Sequence, residues 1–232
     1  LIQWSEASAN VSLHLFAEKC YAEEMPNKIP FQILENKYQG VKKVIPPKTL
    51  SSKQAFSFSI TGTLTPAYGI LEAIDWFISI LEDFPESSLT IIGHVTLPEF
   101  ESQLNQKIKG IPQIQTKLST EPIPHEELLE AITSSDFSLL PYQNHPAIKS
   151  KIPTKLFECA ALGVPVLMTP NPNWEQFYNS YQGGFTIDFS DLKNSKTQFA
   201  KAIAQTYFST SVLKTIFWDS QKADFLREIE RI

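Results

Sequence analysis

The stretch S-K-I-P-T-K-L-F-E-C-A-A-L-G-V-P-V, Ser150 to Val166, reads as a loop, a short helix and a buried strand. Thr154 is the expected N-cap, since its hydroxyl can take one of the helix's orphan amide protons. Leu156, Phe157, Ala160 and Ala161 fall at helical spacing and give one apolar stripe. Gly163 suits the position just past the helix end, where a left-handed backbone is cheap only for glycine. The run Val164-Pro165-Val166-Leu167-Met168 is short and wholly apolar, which marks a strand covered on both faces.

Two residues of this helix do not serve its folding. Lys155 falls in the first turn, where the helix dipole makes a cation mildly unfavourable. With Lys149 and Lys151 just upstream, three ammonium groups gather at one helix start, an arrangement that makes sense if an anion binds there. Glu158 lies about one turn further in, where a carboxylate can accept hydrogen bonds from the vicinal hydroxyls of a ribose. The plainer reading is that the lysines are solvated surface and that Glu158 only favours the dipole; local chemistry leaves both open.

Outward from this segment, strands and helices alternate. Phe56 to Ile60 alternates as a strand, Thr61 to Pro66 turns, and Ile70, Leu71, Ile74, Ile78 and Leu81 mark an amphipathic helix. Leu89 to Gly93, a weaker run at Ile114 to Thr116, Phe137 to Pro141 and Phe185 to Asp188 are further strands. Helices are expected over Leu97 to Lys107, Pro124 to Thr133, Ser195 to Tyr207 and Asp219 to Ile232. Alternation at these intervals suits right-handed crossovers, so the expected class is α/β, a doubly wound parallel sheet with helices on both faces. Ligands of such sheets bind beyond the carboxyl ends of the strands. The loops at that edge are Gly62 to Gly69, Gly93 to Thr96, Lys117 to Ile123 and Pro141 to Pro153.

Residues 1–54 are less regular. Val11 to Glu24 has apolar spacing compatible with a helix closed by Pro26, Phe31 to Leu34 with a strand, and Pro46 to Gln54 with a linker. The expected division is a lead-in over 1–54, a globular unit over 55–218 and a closing helix over 219–232. The chain starts at leucine, as an excised fragment or processed product would.

Composition narrows the function classes. The 232 residues are 42% hydrophobic and 19% charged with a net charge of −5, so there is no basic field to hold nucleic acid or an anionic membrane. No apolar run reaches the roughly 20 residues of a membrane span. Arg227 and Arg231 are the only arginines, so an anion site elsewhere must use lysine, amides and hydroxyls. Cys20 and Cys159 suit apolar positions and a reducing cytoplasm rather than a disulfide framework. His14, His94, His125 and His145 show no metal-ligand spacing, so no metal is expected. The Gly62 turn lacks G-x-G-x-x-G, against a nicotinamide or flavin, and no G-x-S-x-G elbow points to a hydrolase. Trp76, Phe77 and Phe157 sit on helix faces and read as core.

The segment P-T-K-L-F-E-C-A-A-L-G-V-P-V resembles the donor-site helix of glycosyltransferases with two Rossmann-like domains, the GT-B fold. It is most similar to the large retaining family typified by sucrose and mannosyl transferases (group 1, or family 4). The likeness spans about Phe56 to Trp218. T-G-T-L-T-P-A-Y-G resembles the family's opening turn and L-T-I-I-G its second strand. I-P-H-E-E-L-L-E-A-I-T-S-S-D-F-S-L-L-P resembles the helix and strand before the donor loop, and F-W-D-S its closing aromatic signature.

The resemblance implies a nucleotide-diphosphate sugar as donor, no other cofactor and no metal. It also implies transfer with retention to a glycan, lipid-linked or small-molecule acceptor. It carries Glu158 onto the ribose and Lys155 onto the diphosphate. Gly62, Thr63, Gly93, Ile123, Tyr142, Lys149, Ser150, Lys151 and Thr154 become candidate donor contacts. Residues 1–54 would be the tail of an acceptor-side domain. Three positions depart from the pattern: the family's opening arginine falls at Thr63, its lysine at Tyr68, and the first glutamate of its E-x7-E pair at Ser150. Those losses motivate a second expectation, an inactive relative serving as a binding or scaffolding module. A sugar-nucleotide epimerase of similar fold is a third.

Overall fold

The computed structural model describes residues 11–24, 29–143 and 145–231. In the lead-in, β1 (His14–Phe16) pairs in parallel with β2 (Phe31–Ile33), and α1 (Lys19–Glu24) connects towards it. The helix expected over Val11 to Glu24 is therefore a strand followed by a short helix, because His14, Leu15 and Phe16 gain sheet partners from residues far along the chain. Its expected stop, Pro26, lies outside the described residues. Strand β3 (Lys48–Thr49) follows, inside the stretch that reads as a linker.

The main sheet is built from β4 (Ser57–Leu64), β5 (Ser88–Val95), β6 (Ile114–Ser119), β7 (Phe137–Leu140), β8 (Val166–Met168) and β9 (Gly184–Thr186). All its pairings are parallel, in the order β6-β5-β4-β7-β8-β9. The connecting helices are α2 (Ile70–Ile80), α3 (Pro98–Ile108), α4 (His125–Thr133), α5 (Pro146–Lys149), α6 (Thr154–Leu162), α7 (Pro172–Asn179) and α8 (Ser195–Ile203). Helix α2 packs on α3 and α8, whereas α6 packs on α4 and α7. The two groups cover opposite faces, which makes the fold the doubly wound, Rossmann-like α/β sheet expected from the alternation. Strand order reverses between β4 and β7.

Strand β4 shows how sequence places these layers. Its residues S-F-S-I-T-G-T-L alternate, and alternate side chains point to opposite faces. Phe58 and Ile60 enter the aromatic side of the core. The Phe58 ring stacks on Phe137 at 5.9 Å and meets Trp76 edge-on at 5.7 Å. Phe199 of α8 meets Phe56 at 5.0 Å and Trp76 at 5.6 Å. The other face carries Ser59, Thr61 and Thr63, small hydroxyl residues turned towards the α4–α6 layer. Trp76, Phe77 and Phe157 are buried, as their helix positions imply, and Cys20 and Cys159 are free thiols.

The pivotal helix differs from expectation at its start. Pro153 occupies the cap position and Thr154 is the first helical residue, with no side-chain cap bond. Proline's fixed backbone angle and missing N–H suit an entry point that needs no hydroxyl cap. At the other end Gly163 adopts φ 69° and ψ 32°, the left-handed cap that its position implies. Helix α7 has no counterpart in the sequence expectations. Asn171 caps it, accepting from the amides of Asn173 and Trp174.

The helix expected to reach Tyr207 ends at Ile203, and β10 (Thr206–Tyr207) instead pairs antiparallel with β3. Helix α9 (Asp219–Ile229) closes the described chain. No helix among the described residues is long and apolar enough to cross a membrane.

A polar clamp ties the start of β4 to the start of β7. Asp136 accepts from the Lys53 ammonium at 2.6 Å and from the Ser57 amide at 2.9 Å. Burial pushes the Asp136 carboxyl up, but the bonds from Lys53 and Ser57 outweigh it and hold the group below the usual carboxylate range. Its contribution to stability is therefore complete above that range and fades as pH falls through the lowered folded value. Asp136→Asn should cost about 1–3 kcal/mol at neutral pH. In urea titrations repeated down the acid range, the gap to the parent protein should narrow. Phe199→Ala should cost about 3–5 kcal/mol at any pH, since it opens a cavity among buried rings.

Candidate functional site

The carboxyl end of β4, where strand order reverses, opens into a cavity of about 790 Å³. Thr61, Gly62 and Thr63 of β4 form its floor, and Thr154, Lys155 and Glu158 of α6 form one side. The start of α4 supplies His125, Glu126 and Leu129. Tyr68 and Tyr142 stack at 4.3 Å on another side. Residues 34–39 of the lead-in, together with Trp218, close the remaining wall.

Lys155 reaches the floor because Gly62 has no side chain. A Cβ there would stand 3.2 Å from Lys155 Cε, and the Gly62 φ of +105° is itself a conformation that favours glycine. Lys155 and Glu158 are both buried, one helical turn apart, and joined by a 2.6 Å bond from Nζ to Oε2. The other carboxylate oxygen meets His125 Nε2 at 2.8 Å. Glu158 is thus shared between a lysine of its own helix and a histidine of α4. Thr61 Oγ1, on the same floor, is buried with no hydrogen-bond partner. A buried hydroxyl without a partner carries a free-energy cost that an incoming polar group can relieve. Burial, with Tyr68 and Glu158 nearby, drives the Tyr142 hydroxyl well above its ordinary pKa, so it stays protonated and able to donate.

Of the residues singled out in the sequence, Gly62, Thr63, Tyr142, Thr154, Lys155 and Glu158 come together around the cavity. The others stand apart. Gly93 is buried on β5, where an added Cβ would strike the Gly62 carbonyl at 2.0 Å, so it permits the close strand pairing behind the floor. Ile123 is half-buried ahead of α4, and Lys149 and Ser150 are exposed. Lys151 sends its ammonium over the Tyr21 ring, 4.8 Å from the centroid.

The three amines therefore do not converge. The loop that carries them is fixed by its main chain instead. The Lys149 carbonyl accepts from Asn171 and Asn173, the Lys151 carbonyl accepts from Trp174 Nε1, and Glu18 accepts from the Ile152 amide.

Three parts of the wall escape a reading by motif. His125 carries no metal-ligand spacing and stands out only as the first residue after I-P, where a helix start brings it to the sheet's carboxyl edge. Thr61 reads as a turn, whereas β4 continues through it to Leu64. Residues 35–39 bear no local mark, since their placement depends on pairing with the far end of the chain. Glu35 exchanges two hydrogen bonds with the Gln221 amide, at 3.1 and 2.7 Å. Tyr38 bonds through its main chain to Ile216 and Trp218. Among the described residues no group of three histidine, cysteine or acidic side chains is gathered as a metal site would require.

Comparison with solved structures gives the fold its relatives. Trehalose-6-phosphate synthase OtsA superposes with a TM-score of 0.61 at 11% identity, over 95% of this chain and 60% of that one. The pneumococcal O-GlcNAc transferase GtfA, solved with UDP and GlcNAc, gives 0.54 at 15% identity over 84% of this chain and 38% of that one. The C-terminal domain of a group 1 glycosyl transferase family protein, LpcC from Francisella tularensis, gives 0.50 at 18% identity over 65% and 80%. This chain thus spans less than two thirds of the synthase and of the pneumococcal enzyme, and most of the isolated domain. No curated protein matches its sequence. A family model described as glycosyl transferase-like matches residues 75–207. With more than half of the chain matched and GT-B enzymes as structural neighbours, the chain belongs to the glycosyl transferase-like family, with a GT-B-type fold.

Proposed function

We propose that this chain is the donor-binding part of a hexosyl-type glycosyltransferase that takes a nucleotide-diphosphate sugar and passes its glycosyl group to an acceptor. In this reading residues 1–54 are the end of an acceptor-side domain and 55–218 the donor domain. Residues 219–232 are the closing segment, whose helix Asp219–Ile229 returns to the first part through Gln221. The observation that carries the proposal is the placement of Lys155, Glu158 and the unpartnered Thr61 hydroxyl in one cavity at the strand-order reversal.

The chemistry follows from those groups. Vicinal ribose hydroxyls donate to the Glu158 carboxylate in place of His125 and Lys155. Lys155, released from Glu158, turns to the diphosphate. As the glycosidic bond to phosphate breaks, negative charge grows on the departing oxygen, and a fixed cation beside it stabilises that charge most when it is greatest. The amides at the start of α6 add to the effect. Lysine and amides take the role that a divalent ion plays elsewhere, so the reaction in this reading needs no metal. The donor-helix motif brings retention of configuration with it. The acceptor is a glycan, a lipid-linked sugar or a small molecule.

A second reading, a relative that binds without transferring, draws support from the uncharged Thr63 and Tyr68 on the cavity wall and from a Glu158 whose two oxygens are already engaged. Calorimetry and thermal shift with uridine, guanosine and adenosine diphosphates separate the two. At least one diphosphate should bind and raise the melting temperature. Lys155→Ala and Glu158→Gln should each weaken it by roughly five-fold or more, the loss of about one charge-assisted bond. A flat response to all three nucleotides favours the inactive relative. Unchanged affinity in both variants takes Lys155 and Glu158 out of the site.

A further inference from the structure

A diphosphate brings at least two negative charges into a cavity whose wall already holds the carboxylates of Glu35, Glu126 and Glu158. Lys155 is the obvious counter-charge, yet it is shared with Glu158 at 2.6 Å. Lys149 is exposed off the cavity wall, and Lys151 lies over Tyr21. The two arginines are engaged on α9, with Asp224 and Glu228. Among the described residues, one other lysine lines the cavity: Lys37, from the lead-in.

Lys37 is held in an unusual way for a surface lysine. Its side chain is only 11% exposed. Its ammonium meets Glu35 Oε2 at 3.1 Å and donates to Ser220 Oγ at 3.3 Å. The strap that carries it does not need this ion pair for its placement. Gln221 grips the Glu35 peptide from both sides, and Tyr38 is tied to Ile216 and Trp218 through the main chain. The Glu35 carboxylate is 38% exposed, so it can turn to water when another anion takes the ammonium. A buried stem, a pinned backbone and a partner carboxylate with water to turn to make a cation ready to exchange its partner.

We propose that Lys37 is the second cation of the diphosphate site, gripping the guest's phosphates from the lead-in side while Lys155 grips them from α6. This rests on the reading of the cavity as a nucleotide-diphosphate site. It assigns the lead-in strap a direct part in donor binding, in place of the charge that Thr63 and Tyr68 do not supply.

The test compares nucleoside diphosphates with the matching monophosphates by calorimetry on the whole chain, for the parent protein and for Lys37→Met and Lys37→Arg. Lys37→Met should weaken the diphosphate by about ten-fold and the monophosphate by less than about two-fold, while Lys37→Arg restores most of the difference. A purely structural Lys37 would move both nucleotides alike, so an unchanged ratio between them in Lys37→Met overturns the proposal. If Lys37→Met does not fold, Glu35→Gln decides: freeing the ammonium should tighten diphosphate binding by about two-fold or more, and equal or weaker binding overturns the assignment. A parent protein that binds none of the diphosphates brings down the reading of the cavity itself. Diphosphate binding that ignores Lys37 brings down only this inference.

Discussion

Strand β4 is paired on both edges and covered on both faces, and its two faces have opposite chemistry. One side must be filled by large rings, since Phe58 and Ile60 leave water only if α2 and α8 supply Trp76, Phe77 and Phe199. The other side, made of serine and threonine, lies under α4, whose Leu128 and Ile132 are buried. The aromatic side commits a cluster of large rings to the core that holds the domain together. The hydroxyl side runs up to the strand's carboxyl end and becomes the floor of the cavity. One alternating octapeptide therefore sets both the core and the site.

Much of this was legible before any coordinates. The six sheet strands and most of the helices between them, α5 and α7 excepted, follow from apolar runs of the right length and from glycine and proline at their ends. Those signals are local, and the parallel sheet they imply has few topologies available. Lys155, Glu158, Gly62, Thr63, Tyr142 and Thr154 were likewise readable, because they sit at the edge where such sheets bind ligands. Boundaries failed where tertiary pairing overrides local preference. His14–Phe16 is a strand because Phe31–Ile33 lies beside it, and Ser195–Ile203 stops short because Thr206–Tyr207 pairs with β3.

The lysine cluster is the more instructive failure. Adjacent positions in sequence suggested three amines around one anion, but a loop turns its side chains in several directions. Here the main-chain carbonyls of Lys149 and Lys151 are tied to α7, and that leaves their ammonium groups outside the cavity. The other lysine that lines the cavity was hidden for the opposite reason. Lys37 lies more than a hundred residues away in sequence, in a segment with no periodicity of its own.

The grip of Gln221 on Glu35 spans 186 positions. A contact of that reach closes a long loop, whose entropic cost falls once the intervening chain has collapsed. The sheet and aromatic core are held by many contacts of shorter reach, so on contact order alone the cavity's last wall is the late addition. The same wall rests on a few hydrogen bonds and on one edge-on contact, Tyr38 with Phe217 at 6.1 Å, far less packing than holds the sheet, so it is the part of the fold that opens at least cost. The wall that encloses the cavity is thus also the part of the fold tied together over the longest stretch of chain.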